Sequence, residues 1–325
     1  MANGVTDVRR FQIDRLLIQR ILGIIWLLDG LLQLQPGMFS AQFMNMIITP
    51  NTQGQPEWYV HDIQWMANLT TPHIAIYNAL FAVIQLVIGL GLILNVKTRA
   101  TLTISFVWAV IVWFAGEGLG GLLTGSALYL TGAPGAVILY AMIGLLVWPL
   151  RSTTAQKDRI KTAVDNGLLG GKASLGIFSL IWLLGALLQL SPFNLQPDTI
   201  AQAIASGASG NPEWLAGLAH TAARIVTGGG TYVSLGLCLL QVGIAGGIWG
   251  KRRMRRAALI LGWGLCLVYW VIGQQLGGIF TGMGTDPNAA PLLALFELAI
   301  WPLSTVADKD PGRAPEKPEH FQESA

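Results

Sequence analysis

Apolar residues fall into eight runs separated by short polar stretches, roughly 16–35, 73–95, 100–122, 133–149, 174–190, 228–249, 257–280 and 289–303. Most approach the ~20 residues of helix that cross a bilayer, and the fifth and the last are short. Two of the intervening stretches, 36–72 and 191–227, are too long for simple turns. Each holds a proline-started segment, "PEWYVHDIQWMANL" and "PEWLAGLAHTAARIV", with apolar residues at helical spacing. Trp58, Trp65 and Trp214 suit a headgroup boundary, where a ring has one dry and one wet side. The pattern predicts an all-α polytopic membrane protein of about eight transmembrane helices, capped by amphipathic helices on its outer surface.

Composition agrees. Of 325 residues, 53% are hydrophobic and only 11% charged, against about a quarter charged in a soluble domain. The mean hydropathy is +0.54. The opening "MANGVTDVRRFQIDR" is polar and basic and lacks the short apolar core of a cleaved signal, so the first run is expected to be retained. Cys238 and Cys266 each lie inside an apolar run and read as inert, buried thiols.

The basic residues describe sidedness, not nucleic-acid binding. Arg9, Arg10, Arg15 and Arg20 precede or open the first run, and Lys97 and Arg99 separate the second and third. Arg151, Lys157, Arg159, Lys161 and Lys172 follow the fourth, "KRRMRR" (251–256) joins the sixth and seventh, and Lys309, Arg313 and Lys317 lie in the tail. By the positive-inside rule both termini are cytoplasmic. "KRRMRR" also suits anionic lipid headgroups, although anchoring topology is role enough for it.

The chain says much of itself twice. "WLLDGLLQLQP" from Trp26 matches "WLLGALLQLSP" from Trp182, "QPEW" from Gln55 matches "NPEW" from Asn211, and Gln85 matches Gln241. "WFAGEGLGGLLTG" from Trp113 matches "WVIGQQLGGIFTG" from Trp270. The offset holds at 156 or 157 until a short gap before the closing "VWP" and "IWP". The expected organisation is a first four-helix repeat at 1–150, a cytoplasmic linker at 151–173, a second repeat at 174–303 and a disordered cytoplasmic tail at 304–325. An even number of helices per unit makes the repeats parallel, related by an axis along the membrane normal.

Candidate chemistry lies in the polar residues inside the runs, which are costly in lipid and so face a partner or a cavity. Asp29 and Glu117 lie in the first half, both expected in its outer part. Gly185 and Gln274 stand at the matching positions, followed by Gln275 and, near the middle of the last run, Glu297. If Trp113, Glu117, Gly121 and Thr124 continue one helix, they share a face. Gly116/Gly120, Gly121/Gly125 and their counterparts Gly273/Gly277 and Gly278/Gly282 then read as close-packing pairs. Glu117 is either a proton donor or acceptor in an aromatic-walled pocket, or a polar tie to a neighbouring helix. A carboxylate in one copy and an amide in the other suggests that one half keeps a site while the other is scaffold, with drift after duplication as the competing account. Arg224, the basic residue on the other side, is placed to pair with Glu117 or Asp29, to bind an anion, or simply to reach water from the interface. His61, His73 and His220, with Met38, Met44, Met46 and Met66 nearby in sequence, offer ligand types for copper or haem but no ligand spacing, and read more plainly as interfacial histidines.

"RLLIQRILGIIWLLDGLLQL" (15–34) and the four-helix unit after it resemble the DoxX-like superfamily of small membrane proteins, and this chain looks like two such units fused. "GEGLGG…TG" with "GAPGAVILY" is similar to bacterial, chiefly actinobacterial, membrane proteins of unassigned function. The resemblance implies a bacterial plasma-membrane location, a quinone as ligand, and a soluble or membrane redox partner. Direct thiol redox does not fit the two embedded cysteines. Three functional classes follow: a redox-associated subunit holding a quinone near Trp113 and Glu117 with Asp29 as relay, a proton-coupled transporter using the same carboxylates, and a structural subunit without ligand. No motif in the sequence requires an enzyme.

Overall fold

A computed structural model describes residues 13–150, 163–164 and 167–304. The basic residues at 9, 10, 151, 157, 159 and 161 and the tail lie outside the described residues, so the linker and tail expectations are not addressed there. Every regular element among the described residues is helical.

Helix α1 (Arg15–Leu32) starts on Asp14, whose Oδ1 accepts from the Leu17 N–H at 2.8 Å. It is followed by an irregular stretch at 36–52 and α2 (Glu57–Thr70), which runs through a turn at Thr71–His73 into α3 (Ile74–Ile93). Then come α4 (Thr98–Ala115), the short α5 (Ala136–Leu146), α6 (Gly170–Gln189), α7 (Thr199–Gly207), α8 (Glu213–Val226), α9 (Gly230–Gly247), α10 (Arg252–Val268) and α11 (Ala289–Ile300). α1 packs along α3 and α4 against α5; further on, α6 packs along α9 and α10 against α11. α5 and α11 meet each other at the centre, and α11 also touches α1 and α6.

Five helical stretches are long and apolar enough to cross a membrane: Glu57–Ile93, Thr98–Ala115, Gly170–Gln189, Gly230–Gly247 and Arg252–Gly273. Ala136–Leu146 and Ala289–Leu303 are apolar but shorter. α1 has the length but carries Arg15, Arg20 and Asp29.

α1 and α3 cross at close range. A Cβ at Gly23 would lie 2.9 Å from the Gly89 carbonyl oxygen, and one at Gly89 would lie 2.8 Å from the Gly23 carbonyl oxygen. Small residues therefore do bring backbones together here, at a pair that the sequence reading did not single out.

The expected runs 100–122 and 257–280 are not continuous helices. α4 stops at Ala115, and residues 118–121 form a tight turn with left-handed backbone at Leu119 and Gly120. α10 gives way to a wide helical turn at Tyr269–Gly273 and then to a turn with left-handed backbone at Leu276 and Gly277. The glycine pairs are thus turn residues, not helix-packing pairs. A side chain at Gly120 would collide with the Pro134 carbonyl, and one at Gly277 with the Asp286 carbonyl and Pro287. Irregular backbone at such depth is tolerated where it is buried in protein or lines a cavity, and here it does both.

At the end where α1, α4 and α10 begin, arginines donate to carbonyls just past the ends of the short helices α5 and α11. Arg15 donates to the Val147 oxygen, Arg99 donates twice to the Pro149 oxygen at 3.0 and 2.9 Å, and Arg255 donates to the Leu303 oxygen at 2.9 Å.

Candidate functional site

The turn that ends α4 delivers Glu117 to the start of α5. Glu117 Oε1 accepts from the Ala136 and Val137 N–H groups at 3.0 and 3.1 Å, and Oε2 from Val137 at 3.2 Å. A carboxylate on the first N–H groups of a helix satisfies orphan donors and meets the positive end of the helix dipole. Gln274 repeats the act at α11 with one oxygen, accepting from the Ala290 N–H at 3.0 Å. Its Nε2 is buried without a partner. The shared frame is completed by two indoles: Trp113 Nε1 donates to the Pro134 oxygen at 2.7 Å and Trp270 Nε1 to the Pro287 oxygen at 2.9 Å.

Glu117 also borders a cavity of about 400 Å³. Its walls are apolar, from Trp26, Phe81, Trp108 and Val112 on the helices to Phe43, Ile47, Trp65 and Met66 on the cap. The cap is tied to the turn by Tyr59, whose hydroxyl donates to the Phe114 oxygen, and by Gln55, whose Nε2 donates to the Gly118 oxygen at 2.7 Å. The "QPEW" glutamine therefore holds the roof of the cavity.

Most of the buried polar atoms of the lining that lack a hydrogen-bond partner are acceptors. Asp29, Glu117 and Asp286 all border it and lie within electrostatic reach of one another. Asp29 Oδ1, Gln33 Oε1 and Gln85 Oε1 are buried there without hydrogen-bond partners. The one unpartnered donor is Trp108 Nε1. Among the described residues, no Lys, Arg or His is part of the lining. A second, polar chamber of about 560 Å³ lies on the far side of Glu117, Thr285 and Asp286, bounded by Asn51, Gln53, Thr124, Ser126 and Asn288. The two carboxylates thus form a septum between an apolar and a polar space.

Asp286 was not among the sequence candidates, since it lies in a loop outside every apolar run. Its Oδ2 accepts from Thr285 Oγ1 at 2.8 Å and its Oδ1 from the Asn288 N–H at 2.7 Å. Burial pushes its carboxyl above the usual range, opposed by those two bonds. The loop is held against the first half by Gln35, whose Nε2 donates to the Gly284 oxygen at 3.1 Å.

Other candidates lie elsewhere. Trp113 is not part of the cavity wall; its indole is committed to Pro134, and Trp26 and Trp108 supply the aromatic face instead. Gln275 turns back on its own chain, donating to the Val271 and Ile272 oxygens, and borders a separate shallow pocket with Gln274. Glu297 is wholly buried in α11 with both oxygens unpartnered. Arg224 is exposed and bonds only Thr221, at 3.3 Å, so it pairs with neither Glu117 nor Asp29. His61, His73 and His220 are exposed and scattered. Among the described residues no three His, Cys, Asp or Glu side chains converge as a metal site.

No protein-family model, curated protein or solved structure matches this chain.

Proposed function

We propose that the protein is a multi-pass bacterial plasma-membrane subunit, built from two parallel four-helix repeats, that binds a quinol-type lipid in the cavity of its first half and works with a redox partner. The single observation that carries this is the cavity itself: an apolar space with acceptor groups at one end and no cation in its lining. Such an end suits a head that donates hydrogen bonds, as the two hydroxyls of a quinol do, while an isoprenoid tail suits the apolar walls. Asp29 and Glu117 take up the two hydroxyl protons, and Asp286 relays them to the polar chamber. Oxidation of the bound quinol to quinone requires a two-electron acceptor, which the redox partner would have to carry. The basic end formed by Arg15, Arg99 and Arg255 supports cytoplasmic termini under the positive-inside rule.

A proton-coupled transporter is the second reading, supported by Glu117 and Asp286 bordering both chambers. A structural subunit is the third, supported by the capping bonds of Glu117.

The test is mass spectrometry of the organic extract of protein purified from its own membrane. Wild type should carry a quinone or quinol near one per chain, and Asp29→Leu should carry little. Equal lipid-extract profiles in both, with no quinone, overturn the reading. Substrate-dependent proton uptake in liposomes, lost in Glu117→Gln, would then favour transport.

A further inference from the structure

The two loops before α5 and α11 differ in length and cross over between the halves. Eight residues separate Gly125 from Pro134, but only four separate Gly282 from Pro287. The extra residues of the first loop lie against the second half. Asn194 Nδ2 donates to the Ala127 oxygen at 2.8 Å and fixes the loop there. Tyr129 then lies wholly buried, with ring centroids 5.7 Å from Trp182 and 5.9 Å from Tyr269. A Cβ at Gly185 would lie 2.9 Å from its ring, and one at Gly273 would strike Leu130.

These neighbours have counterparts at the sequence offset of 156 or 157. Trp182, Gly185, Tyr269 and Gly273 correspond to Trp26, Asp29, Val112 and Gly116. All four counterparts border the open cavity of the first half. Tyr129 therefore fills, in the second half, the place that is empty in the first. The room it needs comes from glycine at position 185, where the first half carries Asp29.

We infer that the second half holds a closed ring-binding site, with Tyr129 as its tethered occupant, and that the site takes a free phenol-class ring once the tyrosine side chain is removed. The surroundings hold the ring by shape and aromatic contact with Trp182 and Tyr269, while the Tyr129 hydroxyl is buried without a hydrogen-bond partner. The inference leans on the proposed function only for the class of ring bound in the first half; the experiment reads the second half alone.

Tyr129→Ala should lower the melting temperature of the purified protein by several degrees, because it leaves a ring-sized void among buried side chains. Millimolar phenol, the ring that alanine lacks, should restore half or more of that loss. The double variant Asp29→Leu Tyr129→Ala should be rescued as well as the single one. If Tyr129→Ala cannot be purified alone, purification in the presence of millimolar phenol, followed by its removal, gives the same reading. A melting temperature unmoved by phenol in the truncated variant overturns the inference, as does rescue that disappears when Asp29 is changed. Absence of quinone from the native protein would overturn the proposed function and leave this result standing.

Discussion

Glu117 and Gln274 occupy matching places yet carry different loads. The carboxylate spreads two oxygens over two N–H groups of α5, while the amide serves one N–H of α11. Glu117→Gln should therefore fold, since the second half already works that way, and should impair ligand binding or proton exchange. Glu117→Ala leaves two buried donors unanswered and should cost about 2 kcal/mol or more; thermal melts of the two variants in one detergent separate the roles. Asp286 makes a pH prediction with a definite sign. Its folded value is raised, so its contribution to stability is full below the unfolded carboxylate value, about pH 4. That contribution falls as the pH rises through the folded value, where the unfolded chain has lost its proton and the folded one has not. Asp286→Asn should flatten this decline relative to wild type; identical pH–melting curves would refute the assignment.

At the level of elements, the decisive structures are the breaks after α4 and α10, because they turn Glu117 and Gln274 toward the short helices. Gly120→Ala meets both a left-handed backbone and the Pro134 carbonyl, so it should abolish recovery of folded protein. Gly125→Ala has the same backbone sign but open space around it, and should cost only about 1–2 kcal/mol. Yield and melting temperature measured side by side would decide, and equal tolerance of both would contradict this account of the turn. The apolar runs revealed the helices and the proline-started segments revealed α2 and α8, because burial pattern and helix starts are local signals. The breaks were hidden because "GEGLGGLLTG" stays apolar on average while its backbone changes hand. Asp29 and Glu117 were legible as costly charges within apolar runs. Asp286 was not, since a loop aspartate carries no such cost until the fold inserts it beside them. The uneven loop lengths were its one trace in the sequence.

Across the whole molecule, each half supplies a loop to the other: Tyr129 closes a space between α6 and α10, and Asp286 borders the cavity between α1 and α4. Neither half is complete alone. A chain cut between residues 151 and 162 should yield two fragments that copurify when expressed together and aggregate when expressed singly; a half that stays monodisperse alone would contradict the exchange. The apolar cavity with its acceptor end is the central claim, and equilibrium binding of a short-chain hydroquinone to the reconstituted protein tests it most directly. Saturable binding near one per chain, preferred over the matching quinone and weakened about tenfold or more in Asp29→Leu, is the expected result, since losing a hydrogen bond to a charged group costs ~1.5–3 kcal/mol. Binding that does not saturate, or that ignores the loss of Asp29, would contradict it.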